Sequence, residues 1–170
     1  TQNPIEQEGI YPLPEAQLDR FLMQIDINYP GFDDEWKMLV ETTGATEKSA
    51  EQILTAEELR TAQQLVRTIP VGESVVEAIL ELIRSGRPET TTISLVSENV
   101  SWGPGPRAGQ ALMLATRARA LIDGRVSPSI DDVIALAPSV LRHRMSVSFA
   151  ARAEGLTLDQ VIEQMCAPFA

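Results

Sequence analysis

Thr1-Gln2-Asn3-Pro4-Ile5-Glu6-Gln7-Glu8-Gly9-Ile10-Tyr11-Pro12-Leu13-Pro14-Glu15-Ala16-Gln17-Leu18-Asp19-Arg20-Phe21 decides how the rest of the chain is read. Pro4 disfavours helical backbone at Asn3 and presents its amide, donors and acceptor together, at the end of an extended segment. Gly9, Pro12 and Pro14 punctuate a polar loop. Pro14 suits the first position of a short helix, Glu15 complements the positive end of its dipole, and Arg20 falls in its last turn. Two readings of Arg20 stand at this point: a cation paired with Asp19 or Glu15 at a helix end, or a cation offered to an external anion. Asn3 likewise reads either as an Asn-Pro turn starter or as a neutral group that orients a water or touches phosphate. A segment so polar and so constrained is expected inside a longer protein, since chain ends usually fray.

From Phe21 to Tyr29 the pattern alternates. Phe21, Met23, Ile25, Ile27 and Tyr29 fall on one side, and Gln24, Asp26 and Asn28 on the other. Period two predicts a half-buried strand, which needs a sheet to join. Pro30-Gly31 ends it and marks the expected domain boundary. The remainder reads as helices. Asp33 and Asp34 open one that carries Trp36, Leu39 and Val40 and stops at Gly44. Thr55-Ala56-Glu57-Glu58 is a capping-box pattern ahead of a helix carrying Leu59, Ala62, Leu65, Val66 and Ile69. Glu73 to Ser85 places Val75, Val76, Ile79, Leu80, Leu82 and Ile83 inward. The β-branched run Thr90 to Val96 is expected to hold a short extended segment. Gly103-Pro104-Gly105-Pro106-Arg107-Ala108 leads into a helix to Asp123 with Leu112, Ala115, Leu121 and Ile122 on one face and Gly124 as its stop. Ser129 and Asp132 cap the next helix, which Pro138 is expected to break. Thr157 and Gln160 cap a last one.

Bulk properties set limits. The 170 residues suit one domain, or one domain and part of another. Aromatics are only 5%, so the core is aliphatic and rich in Ala. A net charge of −10 argues against a broad nucleic-acid footprint. One Cys, Cys166, excludes an internal disulfide, and with one His it makes a Cys/His metal site untenable. No apolar run is long enough to span a bilayer.

Arg107 is the most unusual cation. It opens a helix, where its charge opposes the dipole and where free backbone N–H groups form an anion-binding end. A paired structural Arg and an anion ligand are equally compatible with that position. His143, Arg142 and Arg144 read as cations satisfied by a helix C-terminus. Cys166 has no basic neighbour to activate it. Glu6, Glu8 and Glu15 read as a solvated acidic loop.

The runs Thr1-Gln2-Asn3-Pro4, Glu6-Gln7-Glu8-Gly9 and Leu13-Pro14-Glu15-Ala16-Gln17-Leu18-Asp19-Arg20-Phe21 together resemble the MoxR family of AAA+ ATPases, and Gly-Pro-Gly-Pro-Arg107-Ala resembles the same family's sensor 2 motif. Ala120, Gly124-Arg125, Asp131-Asp132-Val133 and Val140-Leu141-Arg142-His143-Arg144 continue the likeness. Ile10 departs from it where a Thr is expected, and Pro104-Gly105 stand where Ala and Ser are usual, which removes a possible N-cap.

The resemblance implies a mainly α fold: a helical-bundle AAA+ lid over residues 31–170, preceded in 1–30 by the last strand and helix of an α/β P-loop core. It implies that Asn3 is the sensor 1 Asn, that Arg20 is the arginine finger acting in trans on a neighbouring subunit, and that Arg107 is the phosphate-contacting sensor 2. It further implies ATP and Mg2+ as cofactors of the full-length protein, neither held tightly by this chain alone, which lacks a phosphate loop and the Asp-Glu strand. A homo-oligomeric ring, expected as a hexamer, a partner with a von Willebrand factor A domain, and a bacterial cytoplasmic setting follow from the same likeness. The work would be chaperone-like maturation or metal insertion. The alternatives are a stand-alone helical interaction module and a magnesium-chelatase-like ATPase subunit.

Overall fold

A computed structural model describes residues 13–44 and 50–169. Asn3, Glu6, Glu8 and the loop through Pro12 lie outside the described residues. The chain divides into two compact units, one taking in residues up to Gln24 and from Val66 onward, the other Ile25–Leu65.

In the first unit, α1 (Glu15–Leu18) is a single turn with Pro14 at its N-cap; it closes before Arg20, which sits in the turn that follows. The bundle proper is α4 (Glu73–Ser85), α6 (Pro106–Ile122), α7 (Ile130–Leu141) and α9 (Leu158–Cys166), with α7 packed on each of the other three. The helix α4 buries Val75, Ala78, Ile79, Leu82 and Ile83, spaced as one helical stripe. Leu80, expected inside, is 54% exposed because it lies a hundred degrees off that stripe from Ile79. Ile122, at the last turn of α6, is also exposed. Against α4 the chain sets Ala108, Ala111, Leu112, Val133, Val140 and Leu141. Burial of each large aliphatic side chain contributes about 1.5–3 kcal/mol.

Local chemistry sets the helix ends. The capping boxes at Ser129/Asp132 and Thr157/Gln160 both form, with Asp132 accepting from Ser129 N at 2.8 Å and Gln160 from Thr157 N at 2.9 Å. Gly124, at φ +70°, lets α6 end in a left-handed residue that side chains avoid.

Three further expectations are corrected. The Thr90 to Val96 run is not extended. A helix, α5 (Ser94–Asn99), starts inside it, and the extended residues come after it. These are β1 (Val100–Trp102), which pairs antiparallel with β2 (Ser146–Val147), Val100 opposite Val147. Pro138 does not break α7. The helix runs through it, forgoing only the bond that Pro138 has no N–H to donate. Phe21 to Tyr29 is not a strand in this structure. Within the first unit, Gln24 N reaches Ser139 O at 2.8 Å and Met23 packs on the core. A strand needs a neighbour to take its N–H and C=O groups, and no described strand offers one. The short α8 (Phe149–Ala153), capped by Ser148, completes the first unit.

The second unit holds α2 (Phe32–Thr42) and most of α3 (Ala56–Thr68), the latter opened by the Thr55/Glu58 box with Thr55 N donating to Glu58 Oε2 at 2.7 Å. Neither helix buries a residue.

Candidate functional site

Asp19 is the meeting point of the site. Its carboxylate accepts from Arg107 Nη1 at 3.3 Å on one oxygen and from Arg144 Nε at 3.1 Å on the other. Arg20 follows Asp19 directly. Its side chain is exposed, and among the described residues no carboxylate pairs with it. The pairings that sequence suggested for Arg20 are therefore not made, and Asp19 is engaged by two other arginines.

Arg107 arrives through the loop that precedes α6. That loop crosses the end of α4 closely: a Cβ on Gly103 would stand 2.1 Å from Gly86 O and 2.9 Å from Arg87 Cα. Only glycine admits this approach. Pro104 is buried there, and Arg87 Nε donates to Pro104 O at 3.2 Å. Gly105 is the N-cap and offers no side-chain cap, so the first N–H groups of α6 have no hydroxyl partner from it. Arg107 projects from that turn with its side chain 54% exposed.

Arg144 has the opposite character. It closes a 3-10 turn (Arg142–Arg144) that extends α7, and it is 2% exposed. Each of its N–H groups has an acceptor. Nε bonds Asp19 Oδ1. Nη1 bonds Leu22 O at 3.2 Å and Val140 O at 2.6 Å. Nη2 bonds Asp19 O at 3.1 Å and Phe21 O. Burial pulls its pKa down, and the hydrogen bond and charge of Asp19 oppose that. Beside it, His143 Nε2 lies 3.3 Å from Phe21 O. A carbonyl can only accept, so Nε2 carries the proton and Nδ1, buried with no partner among the described residues, is a bare acceptor. Burial, then the neighbouring Arg144, lowers the His143 pKa, with the Phe21 bond and Asp19 pulling the other way. The imidazole is neutral near pH 7. Arg142, by contrast, turns outward to Asp159 at 2.9 Å.

Sequence reasoning named Arg107 and Arg20 but not Asp19 or Arg144 as members of one cluster. The only local hint was the pair of motifs Leu-Asp-Arg-Phe and Arg-His-Arg, whose contact spans 125 positions. Cys166 is buried, and its thiol pKa is pushed up by that burial, which fits an inert side chain. Elsewhere, Asp132 takes a bidentate grip from Arg125 at 2.7 Å on each oxygen and a third contact from Arg119 at 3.2 Å, binding α6 to α7. The Arg125 hydrogen bond holds its pKa below the usual carboxylate range. An open cleft of about 470 Å³, lined by Met145, Val147, Arg152 and Leu156 among others, includes none of the predicted site residues. Among the described residues no group of three or more His, Cys, Asp or Glu side chains is placed to hold a metal, and no helix is long and apolar enough to cross a membrane.

The class of this helical bundle, the lid of an AAA-type ATPase, comes from its likeness to known families. Residues 93–165 match the AAA lid domain, and residues 1–23 match the ATPase family associated with various cellular activities (AAA). The chain is 37% identical to the chaperone MoxR1 of Mycobacterium tuberculosis over 97% of its own length and 44% of that protein. It is 28% identical to protein MoxR of Methylorubrum extorquens over 85% of its length and 46% of that protein. A crystal structure of a candidate ATPase from Cytophaga hutchinsonii superposes with a TM-score of 0.90 at 29% identity, covering 96% of this chain and 50% of that one. Over nearly its whole length the chain is similar to MoxR proteins, and two AAA models match parts of it. It spans about half the length of the curated relatives it matches.

Proposed function

We propose that this chain supplies the sensor and finger residues of a ring-forming, ATP-hydrolysing MoxR-type ATPase. The observation that carries the reading is the convergence on Asp19, which brings Arg107 to the turn bearing Arg20. Both arginines suit an anion. Arg20 has no ion-pair partner among the described residues, and Arg107 is restrained by an exposed pair that water already weakens. ATP with Mg2+ would supply the γ-phosphoryl group that is transferred to water. Toward it, Asn3 orients the attacking water as sensor 1, Arg107 contacts phosphate as sensor 2, and Arg20 reaches in trans into the next subunit's site. A planar guanidinium there meets two phosphoryl oxygens as their charge grows. Mg2+ ligation falls to other residues of the full-length protein.

In this reading residues 1–30 close the ATPase core and 31–170 form the lid. A finger that completes a neighbour's site requires a closed heterologous ring, proposed as a homo-hexamer. The proposed setting is the bacterial cytoplasm and the proposed work chaperone-like maturation or metal insertion, with a von Willebrand factor A domain protein as partner. Alone, this chain is not expected to hydrolyse ATP.

The test is Arg20→Ala in the full-length protein. Turnover should fall by roughly 10³-fold or more while nucleotide binding persists. Turnover at the wild-type level would remove the finger role.

A further inference from the structure

The turn that carries Arg20 is gripped at its backbone mainly by one buried side chain, Arg144. Arg144 takes the carbonyls on both sides of Arg20, those of Asp19, Phe21 and Leu22, and the Asp19 carboxylate as well. His143 adds a second donor to Phe21 O. The same guanidinium bonds Val140 O inside the last turn of α7, the helix that packs on α4, α6 and α9. The Arg20 turn is therefore fixed to the bundle core, while the Arg20 side chain itself stays exposed.

From this geometry we infer that Arg144 is the positioning residue for Arg20. It fastens the finger-bearing turn rigidly to the lid, so that the direction in which Arg20 points is set by the lid and changes with it. The inference rests on the proposed finger role of Arg20 and extends it: Asp19 joins the frame of Arg20 to that of Arg107, and any reorientation of the lid carries both arginines together. Only an arginine can serve here. A lysine keeps the charge and the stem but has one nitrogen in place of the three-nitrogen fork that spans a carboxylate and four carbonyls.

The experiment compares Arg144→Lys, Arg20→Ala and the double variant in the full-length protein, by steady-state hydrolysis and by amide hydrogen exchange. Arg144→Lys should speed exchange in residues 20–24 and leave α4, α7 and α9 unchanged. Its kcat should fall roughly 10- to 100-fold, the scale of a misplaced catalytic group, with KM little altered. In the double variant kcat should equal that of Arg20→Ala, because a misplaced finger that is already absent loses nothing more.

Wild-type kcat in Arg144→Lys overturns the inference while leaving the finger reading intact, as does an additive double variant or faster exchange throughout the lid. Wild-type turnover in Arg20→Ala removes the reading beneath it. Should Arg144→Lys fail to fold, Asp19→Asn carries the same comparison, with the same split between kcat and KM at smaller amplitude.

Discussion

Asp19 accepts two arginines at nearly equal distance, Arg144 at 3.1 Å and Arg107 at 3.3 Å, yet the two contacts are physically unlike. Arg144 is 2% exposed, comes from a turn welded to α7, and spends its whole hydrogen-bonding capacity on one neighbourhood. Arg107 is 54% exposed, stands on the first turn of α6, and holds Asp19 through one nitrogen. Distance does not separate a structural arginine from an exchangeable one. Burial does, because it decides what a guanidinium loses when it lets go: water replaces the partner of an exposed cation, whereas a buried one is left unsolvated.

The largest effect should follow from removing the buried member. Arg144→Met keeps much of the volume but leaves the carbonyls of Asp19 and Leu22 without their donor and that of Phe21 with His143 alone. Breaking a buried charge-assisted cluster costs about 3–5 kcal/mol, and the partial exposure of Asp19 places this one near the lower end. A urea midpoint lowered with an unchanged slope is the expected observation. A loss below about 1 kcal/mol would erase the contrast with Arg107.

That contrast was not visible in the sequence, and the reason is physical. Arg142 and Arg144 stand two residues apart in one motif and read alike. The 3-10 turn sends Arg144 inward to Asp19 and Arg142 outward to Asp159. Such a choice depends on packing across 125 positions, which no local pattern encodes. What was legible was local. Thr55/Glu58, Ser129/Asp132 and Thr157/Gln160 act over three residues and formed as expected, and the stripe of α4 followed from helical periodicity. Asp132 was legible as a cap but not as the carboxylate that Arg119 and Arg125 share. The failures were places where tertiary context overrides pattern. Pro138 cost α7 one bond without ending it, and Thr90 to Val96 gave way to a helix at Ser94. The alternation of Phe21 to Tyr29 is a pattern written for a sheet. With no described strand beside it, Ile27 and Tyr29 are 88% and 83% exposed.

A smaller effect, confined to a pH window, tests the neighbour of the buried arginine. The His143 pKa is lowered from 6.5 in the folded chain, so above pH 6.5 the ring is neutral folded or unfolded and its contribution is complete. As pH falls below 6.5 the unfolded chain takes up a proton that the folded chain, by burial and by Arg144, resists. Stability is lost until pH passes the folded pKa. His143→Gln keeps a donor for Phe21 O and removes this titration. Its stability should change less than wild type between pH 7 and pH 5, measured by urea midpoints across that range. Parallel curves for the two proteins would mean that the imidazole is not held neutral by its surroundings.

Smallest of all should be the effect on stability of losing Arg107. An exposed pair at 3.3 Å contributes about 0–1 kcal/mol, and salt screens it further. Arg107→Met should therefore lower the unfolding free energy, read from urea midpoints, by less than about 1 kcal/mol, a change that shrinks as ionic strength rises, while in the full-length protein it should lower turnover or nucleotide affinity. The combination is the informative one. A residue whose removal barely touches folding yet impairs nucleotide handling is one whose resting contact with Asp19 is weak enough to be traded for phosphate. If instead Arg107→Met destabilises as much as Arg144→Met, Asp19 is its permanent partner. The cation at the head of α6 is then a strut, and the anion-binding end behind it must be served by something else.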